Sequence, residues 1–181
     1  MNLLPLENTH LSVVAEWLAR EENYQWLDFG NGRQTLDATT LKIMAQRENH
    51  YLRLFTPDIA EIPIGIVGFS QIARNFGSAQ LWYVLGDRGY AGQGLTTRAV
   101  SRLLRYGFAE LGLESVGGWA IGENVPSIRV LRKNSFRPVG TLRRSHRLHE
   151  VCVDRLVFDL LTSEYRPVGE EDSVSTRKVH I

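Results

Sequence analysis

Three glycines fall within six residues in RGYAGQGLTTRAV, the stretch 88–100: Gly89, Gly92 and Gly94. An apolar run, Leu81 to Leu85, comes just before them, and a helical pattern opens at Thr96 or Thr97. Two readings fit. One is a tight strand–helix turn with no ligand. The other is an anion site, in which successive N–H groups and the positive end of the helix hold a pyrophosphate without any side chain. Gly92 and Gly94 permit close approach and φ values that other residues avoid. A P-loop is a poor match, because Leu95 and Thr96 follow the last glycine where Lys and Ser or Thr belong. A dinucleotide fingerprint is also a poor match. Thr97 holds the place of its third small residue, and the preceding strands read as antiparallel. Asn124 sits before a second, shorter helix, where it can hold a ligand or simply cap that helix.

The elements around these residues follow from periodicity. Leu3 to Leu6 reads as a short strand. Leu11, Val14, Ala15 and Leu18 recur at helical spacing, with Asn8 or Thr9 able to cap. The segment Glu21–Arg33 has no clean period and mixes Tyr24, Trp26 and Phe29 with Gly30 and Gly32. A helix follows over Leu36 to Arg47. Strands are expected at Tyr51–Phe55, Ile64–Ile72 and Ala79–Leu85, with turns at Pro57–Asp58 and Arg74–Ser78. Leu95, Ala99, Val100, Leu103, Leu104, Phe108 and Leu111 trace one helical face, and Gly112 stands where a C-cap belongs. Ser115–Ile121 reads as a strand and Pro126–Asn134 as a short helix. Phe136–Val139, Leu142–Leu148 and Val151–Leu161 close the sheet. The order β-α-α-β-β-β-α-β-α-β-β predicts an α/β (α+β) fold, a mixed sheet with helices on its faces. Residues 1–165 form one domain in this reading. Residues 166–181 lose the apolar period and read as a flexible tail.

Composition narrows the function. The 181 residues carry 21 Lys and Arg against 20 Asp and Glu, so phosphate neutralisation gives no support for nucleic-acid binding. The single cysteine, Cys152, excludes an intramolecular disulfide. Neither a signal peptide nor a membrane span is apparent, so a cytoplasmic protein that does not bind membranes is expected.

The stretch YVLGDRGYAGQGLTTRAVSRLLRYGFAELGL resembles motif A of the GNAT superfamily of acetyl-CoA-dependent N-acetyltransferases. GENVPSIRVLRKNSFRPVGTLRRS resembles its motif B. RLHEVCVDRLVFDLL is similar to the closing strands of the branch that includes ribosomal-protein N-terminal acetyltransferases. The resemblance covers about residues 3–165 and implies a mostly antiparallel sheet of about seven strands, with strands 4 and 5 splayed around acetyl-CoA. It implies that Val84 and Leu85 offer backbone groups to the pantetheine arm, with the Val84 N–H near the thioester carbonyl as an oxyanion donor. Arg88, Gly89, Tyr90, Ala91, Gly92, Gln93, Gly94, Leu95 and Thr96 would wrap the pyrophosphate. Asn124 and Ser127 would meet the pantetheine. Trp26, Phe29 and Tyr83 would border the acceptor, although each of these aromatics also suits plain packing. No metal is implied, and a homodimer is compatible, since dimers are common in the superfamily.

Several positions depart from the family pattern. Gly89 replaces a usual Gln or Arg, with Arg88 one step away. Gln80 replaces a carboxylate base and cannot take a proton. Leu131 replaces a Tyr acid, and Asn134–Ser135–Phe136 replaces Leu-Gly-Phe. The acid and base are therefore open. Glu123, Asp154, His146, His149 and Glu150 are candidate bases, and Ser127 is a candidate proton donor to the leaving thiolate, with Tyr83 beside the cleft a further possibility. Cys152 lies on a late strand away from the loop, so direct transfer to a primary amine is expected rather than an acyl-cysteine. The acceptor reads as a protein N-terminus, or else as a small amine such as an amino sugar, antibiotic or polyamine. Glu21, Glu22 and Asp28 leave the polyamine open. An acyl-CoA-binding module without catalysis is the alternative from another class.

Overall fold

The computed structural model describes residues 1–29, 33 and 35–169. In chain order it contains β1 (Leu3–Pro5), α1 (Leu11–Ala19), α2 (Glu21–Tyr24), α3 (Ala38–Gln46), β2 (Tyr51–Phe55), β3 (Gly65–Ala73) and β4 (Ser78–Leu85). There follow α4 (Leu95–Ala109), β5 (Ser115–Ile121), α5 (Val125–Lys133), β6 (Arg137–Leu148) and β7 (Val151–Leu161). The seven strands form one sheet in the order β1-β2-β3-β4-β5-β7-β6. Every neighbouring pair is antiparallel except β4 with β5. That parallel pair needs a crossover, and α4 supplies it.

Helices cover both faces because the strands alternate their apolar residues. On one face α4 and α5 bury Leu95, Ala99, Leu103 and Leu131 against Phe69, Leu81, Val116 and Phe158. On the other, α1 and α3 bury Val14, Trp17, Leu18 and Leu41 against Leu52, Ile66 and Val84. Each fully buried Leu contributes roughly 1.5–3 kcal/mol of transfer free energy. The expected stripe along α4 is present, and Gly112 has φ +65°, although the helix itself closes at Glu110.

Several local expectations change. The first helical stretch opens with a 3-10 turn at Asn8–His10, preceded by Glu7, whose N–H donates to His10 Nδ1. Neither Asn8 nor Thr9 is the cap. The aperiodic Glu21–Arg33 segment holds the one-turn α2. The helix expected from Leu36 begins at Ala38, where Asp37 accepts the Thr40 N–H. The two strands expected over 136–148 are one strand, β6, whose register against β7 breaks twice. Gly30 and Gly32 lie outside the described residues, as do tail residues 170–181. The start of the tail is held to α4: the Tyr165 hydroxyl donates to the Ser101 carbonyl (2.8 Å), and the Val168 N–H donates to Ser101 Oγ (2.8 Å).

Candidate functional site

The strands that should part do part. β4 and β5 pair only at Ser78↔Ser115, Ala79↔Val116 and Gln80↔Gly117. Beyond Gln80, β4 keeps its pairing with β3 as far as Leu85, while β5 keeps its pairing with β7 as far as Ile121. A gap therefore opens between Leu81–Leu85 and Gly118–Ile121.

Register decides which backbone groups face that gap. The Gly86 N–H donates to the Ile64 carbonyl (2.8 Å), so residues of the same parity, Val84 and Trp82, bond to β3. The Val84 carbonyl lies on that side too, 2.5 Å from where a Cβ on Gly65 would stand. On the other edge, the Gly77 carbonyl accepts from Glu114 and Ser115 at the start of β5. Tyr83 and Leu85 share that parity and turn their N–H and C=O groups into the gap, whereas the Leu81 N–H still belongs to the last rung of the parallel ladder, opposite Gly117. The Leu85 backbone thus faces the gap. The Val84 N–H is spent inside the sheet, and Tyr83 and Leu85 on either side of it are the available donors.

The glycine loop divides in two. Asp87 accepts the Gly89 N–H (2.9 Å), the Tyr90 N–H reaches the Asp87 carbonyl, and the Ala91 N–H reaches the Arg88 carbonyl. These three N–H groups build a 3-10 turn at Arg88–Tyr90 and are not free for a ligand. The next six, from Gly92 to Thr97, have no hydrogen-bond partner among the described residues; the first bond of the helix is Arg98 N–H to Gly94 C=O. Gly92 and Gly94 have φ of +78° and +73°, and nothing lies within 4 Å of a Cβ placed on either. Their requirement is backbone conformation, not space. α4 is 15 residues long and has no acidic residue in its first turn, so its positive end is uncompensated there. The residues fit a diphosphate. Gly86, which sequence reading passed over, lets the chain leave β4 beneath Trp17: its Cβ would stand 2.0 Å from the indole.

α5 forms the wall of the gap on the α4 side. Asn124 caps it through Oδ1 to the Ser127 N–H (3.2 Å), while the amide nitrogen has no partner among the described residues. Cap and ligand contact are thus compatible in one side chain. Tyr83 crosses from β4 to α5, its hydroxyl 2.7 Å from Ser127 Oγ and donating to the Ser127 carbonyl (3.0 Å). With the phenol proton on that carbonyl, the Ser127 hydroxyl donates to the phenol oxygen. Burial raises the phenol's pKa well above its ordinary value. So Tyr83 straps two elements together rather than supplying protons, and Ser127 is occupied. Leu131 is buried against Gly118 and offers no acid.

The opposite side of the gap is roofed by the segment 25–29. The Gln25 carbonyl accepts from His146 Nε2 on β6 (2.7 Å). Asp28 pairs with Arg155 on β7. Phe29 meets Trp82 on β4 edge-on, with centroids 5.3 Å apart. Arg155 stacks on Trp119 at 4.2 Å, and the Trp119 and His146 rings lie 5.7 Å apart. Phe29 therefore borders the gap, whereas Trp26 is half-buried with no ring partner among the described residues. Gln80 lies over Gly117 at the point where the strands separate.

The candidate bases scatter. Glu123 is exposed in the turn between β5 and α5. Asp154 accepts the Arg144 N–H (2.7 Å) beside a break in the β6–β7 ladder, a structural task. His149 and Glu150 form the two-residue tip of the β6–β7 hairpin, both with positive φ. Glu150 pairs with Arg147, and His149 lies 3.9 Å from Glu21. Only His146 is both buried and next to the roof. Its Nε2–H is fixed by the Gln25 carbonyl, which leaves Nδ1 as the acceptor in the neutral ring.

A model of the acetyltransferase (GNAT) domain matches residues 1–137. An uncharacterized N-acetyltransferase, p20 of Bacillus licheniformis, is 37% identical over 102 residues, covering 56% of this chain and 57% of that protein. The match thus spans little more than half of that relative's length. Among solved structures, spermidine N-acetyltransferase from Vibrio cholerae in complex with CoA and spermine superimposes with a TM-score of 0.79 at 16% identity, over 91% of this chain and 96% of that one. Mycobacterium smegmatis RimJ in complex with CoA-disulfide does so with a TM-score of 0.75 at 18% identity, over 90% and 82%. At such identities the likeness is one of fold. The match over residues 1–137, on a seven-stranded sheet that parts where the glycine loop begins, makes this chain a member of the GNAT acetyltransferase family.

Proposed function

We propose that the protein is an acetyl-CoA-dependent N-acetyltransferase that moves the acetyl group directly to a primary amine. The observation that carries this reading is the row of six unpartnered N–H groups, Gly92 to Thr97, adjoining an unpartnered strand edge. The loop and the α4 terminus hold the diphosphate. Tyr83 and Leu85 offer an edge to the two amides of pantetheine, and the Asn124 amide nitrogen adds a donor from α5. Acetyl-CoA supplies the activated acyl group as a thioester. The Tyr83 or Leu85 N–H stabilises charge that develops on the carbonyl oxygen, an effect of roughly 3–4 kcal/mol where measured in other enzymes. The amine must arrive neutral or lose a proton, and in this reading His146 Nδ1, or Glu123 through water, accepts it.

The acceptor we favour is a protein or peptide N-terminus. One carboxylate that would attract a polycation already has a cationic partner: Asp28 is paired with Arg155. A polyamine is the second reading, favoured by the fold it shares with the spermine-bound spermidine acetyltransferase. The test is acceptor-dependent CoA release across peptides with free N-termini, polyamines and amino sugars. Release with at least one amine is expected. Tight acetyl-CoA binding without release for any amine would leave the protein as an acyl-CoA-binding module.

A further inference from the structure

The charge of this chain is unevenly distributed. Seven of its 21 Lys and Arg residues lie between Glu123 and Glu150, a stretch without a single Asp or Glu, although the whole chain is only +1. The rest of the molecule is therefore net negative. The stretch is α5, on the α4 side of the sheet, followed by the edge strand β6. Arg129, Arg132, Lys133, Arg143 and Arg144 are all exposed. Arg137 pairs with Glu164 and Arg147 with Glu150, but those five have no ion pair among the described residues. All of Arg137–Arg144 is exposed, including Val139 at 56% and Leu142 at 54%.

The stretch meets the surroundings of the gap from opposite sides. α5 begins at the Asn124–Ser127 turn that Tyr83 holds. β6 carries His146, which fixes the roof through Gln25. We propose that the α5–β6 face docks an acidic polypeptide whose free N-terminal amine enters the gap. The inference rests on the N-acetyltransferase reading and narrows its acceptor to an acidic protein or peptide. Unpaired cations around an opening steer an anionic partner toward it and repel a polycation. A nucleic acid would match the charge but has no aliphatic primary amine to present. Recognition runs through side chains rather than strand addition: β6 is an edge strand, yet Pro138 and two register breaks blunt that edge.

The test uses fluorescein-labelled twelve-residue peptides with free N-termini, one rich in Glu, one rich in Lys and one neutral, measured by anisotropy on the full chain saturated with acetyl-CoA. The Glu-rich peptide is expected to bind at least tenfold more tightly than the other two, and to lose most of that advantage in 0.5 M salt. The triple variant Arg129→Gln/Arg132→Gln/Arg143→Gln should lose about tenfold for the Glu-rich peptide and less than twofold for the neutral one. In turnover, the same variant should raise KM for the Glu-rich peptide with kcat unchanged. Equal binding of the three peptides would overturn the proposal, as would a single-stranded oligonucleotide that binds more tightly than the Glu-rich peptide. If acidic peptides bind but no amine is acetylated, the activity reading fails and the docking surface stands.

Discussion

The two sides of the gap are built on opposite plans. On the cofactor side, the loop after β4 leaves six consecutive N–H groups without partners, and its first half exists to hold that second half in place. On the acceptor side, each key group is tied to a distant one: Gln25 to His146 and Asp28 to Arg155, across 121 and 127 residues of sequence. An unsatisfied local backbone suits an anion of fixed chemistry. An interlocked set of side chains suits a partner that differs from one relative to the next. The comparison says where binding and selectivity should separate under mutation.

The largest effect should come from the strand edge. Replacing the peptide bond N–H of Leu85 with an ester oxygen removes a donor facing the gap. If Leu85 is the donor to the carbonyl, kcat should fall roughly 10²–10³-fold. The same change at Val84 should leave kcat within about threefold and cost about 1 kcal/mol of stability, because that N–H belongs to the ladder with β3. Equal effects at both positions would overturn the parity argument.

A smaller effect is expected across the gap. Asp28→Ala strips Arg155, whose side chain is 16% exposed, of its partner. A loss of about 2 kcal/mol in chemical denaturation is expected, with acetyl-CoA affinity unchanged within twofold and acceptor KM raised. A matching loss of acetyl-CoA affinity would show that the two sides are not separate.

The smallest effect concerns the strap. Tyr83→Phe should cost about 1 kcal/mol and change kcat by less than about threefold, because its hydroxyl is committed to the Ser127 carbonyl and Oγ. A hundredfold fall in kcat would make Tyr83 a proton donor after all. The pH dependence has the matching sign. Burial raises the pKa of Tyr83, and burial together with a hydrogen bond donated to Tyr106 raises that of Tyr51 to about 12. The fold favours both protonated forms. Their stabilisation is complete below the ordinary phenol value near 10 and is lost as pH rises toward 12 and beyond. Thermal melts should show this decline, and Tyr51→Phe should flatten part of it.

What could be read from the sequence follows the same division. The glycine loop, α4 and the succession of elements along the chain were legible because their signals are local: positive-φ glycines, a helical stripe, alternating apolar residues. The parity of Val84 was not legible, because it depends on pairing with β3 that no single strand records. Asp154 looked like a base because a carboxylate on a late strand carries no mark of the bulge it stabilises. Arg155 went unnoticed for a related reason. Its place above Trp119 and beside Asp28 depends on the register of β7 against β5 and on how the segment 25–29 folds over both.

The central claim is that the unpartnered N–H groups between Gly92 and Thr97 hold the diphosphate of acetyl-CoA. It is tested most directly by calorimetric titration of acetyl-CoA into the wild-type protein and the Gly94→Val variant, with NAD as a control. A β-branched residue at a φ of +73° costs roughly 1–3 kcal/mol or reshapes the loop. The expected result is saturable binding of acetyl-CoA but not NAD, weakened at least tenfold by Gly94→Val, with the melting temperature lowered by only a few degrees. Equal affinity in the two proteins, or no binding of acetyl-CoA to the wild type, would reduce the loop to a tight turn and contradict the account.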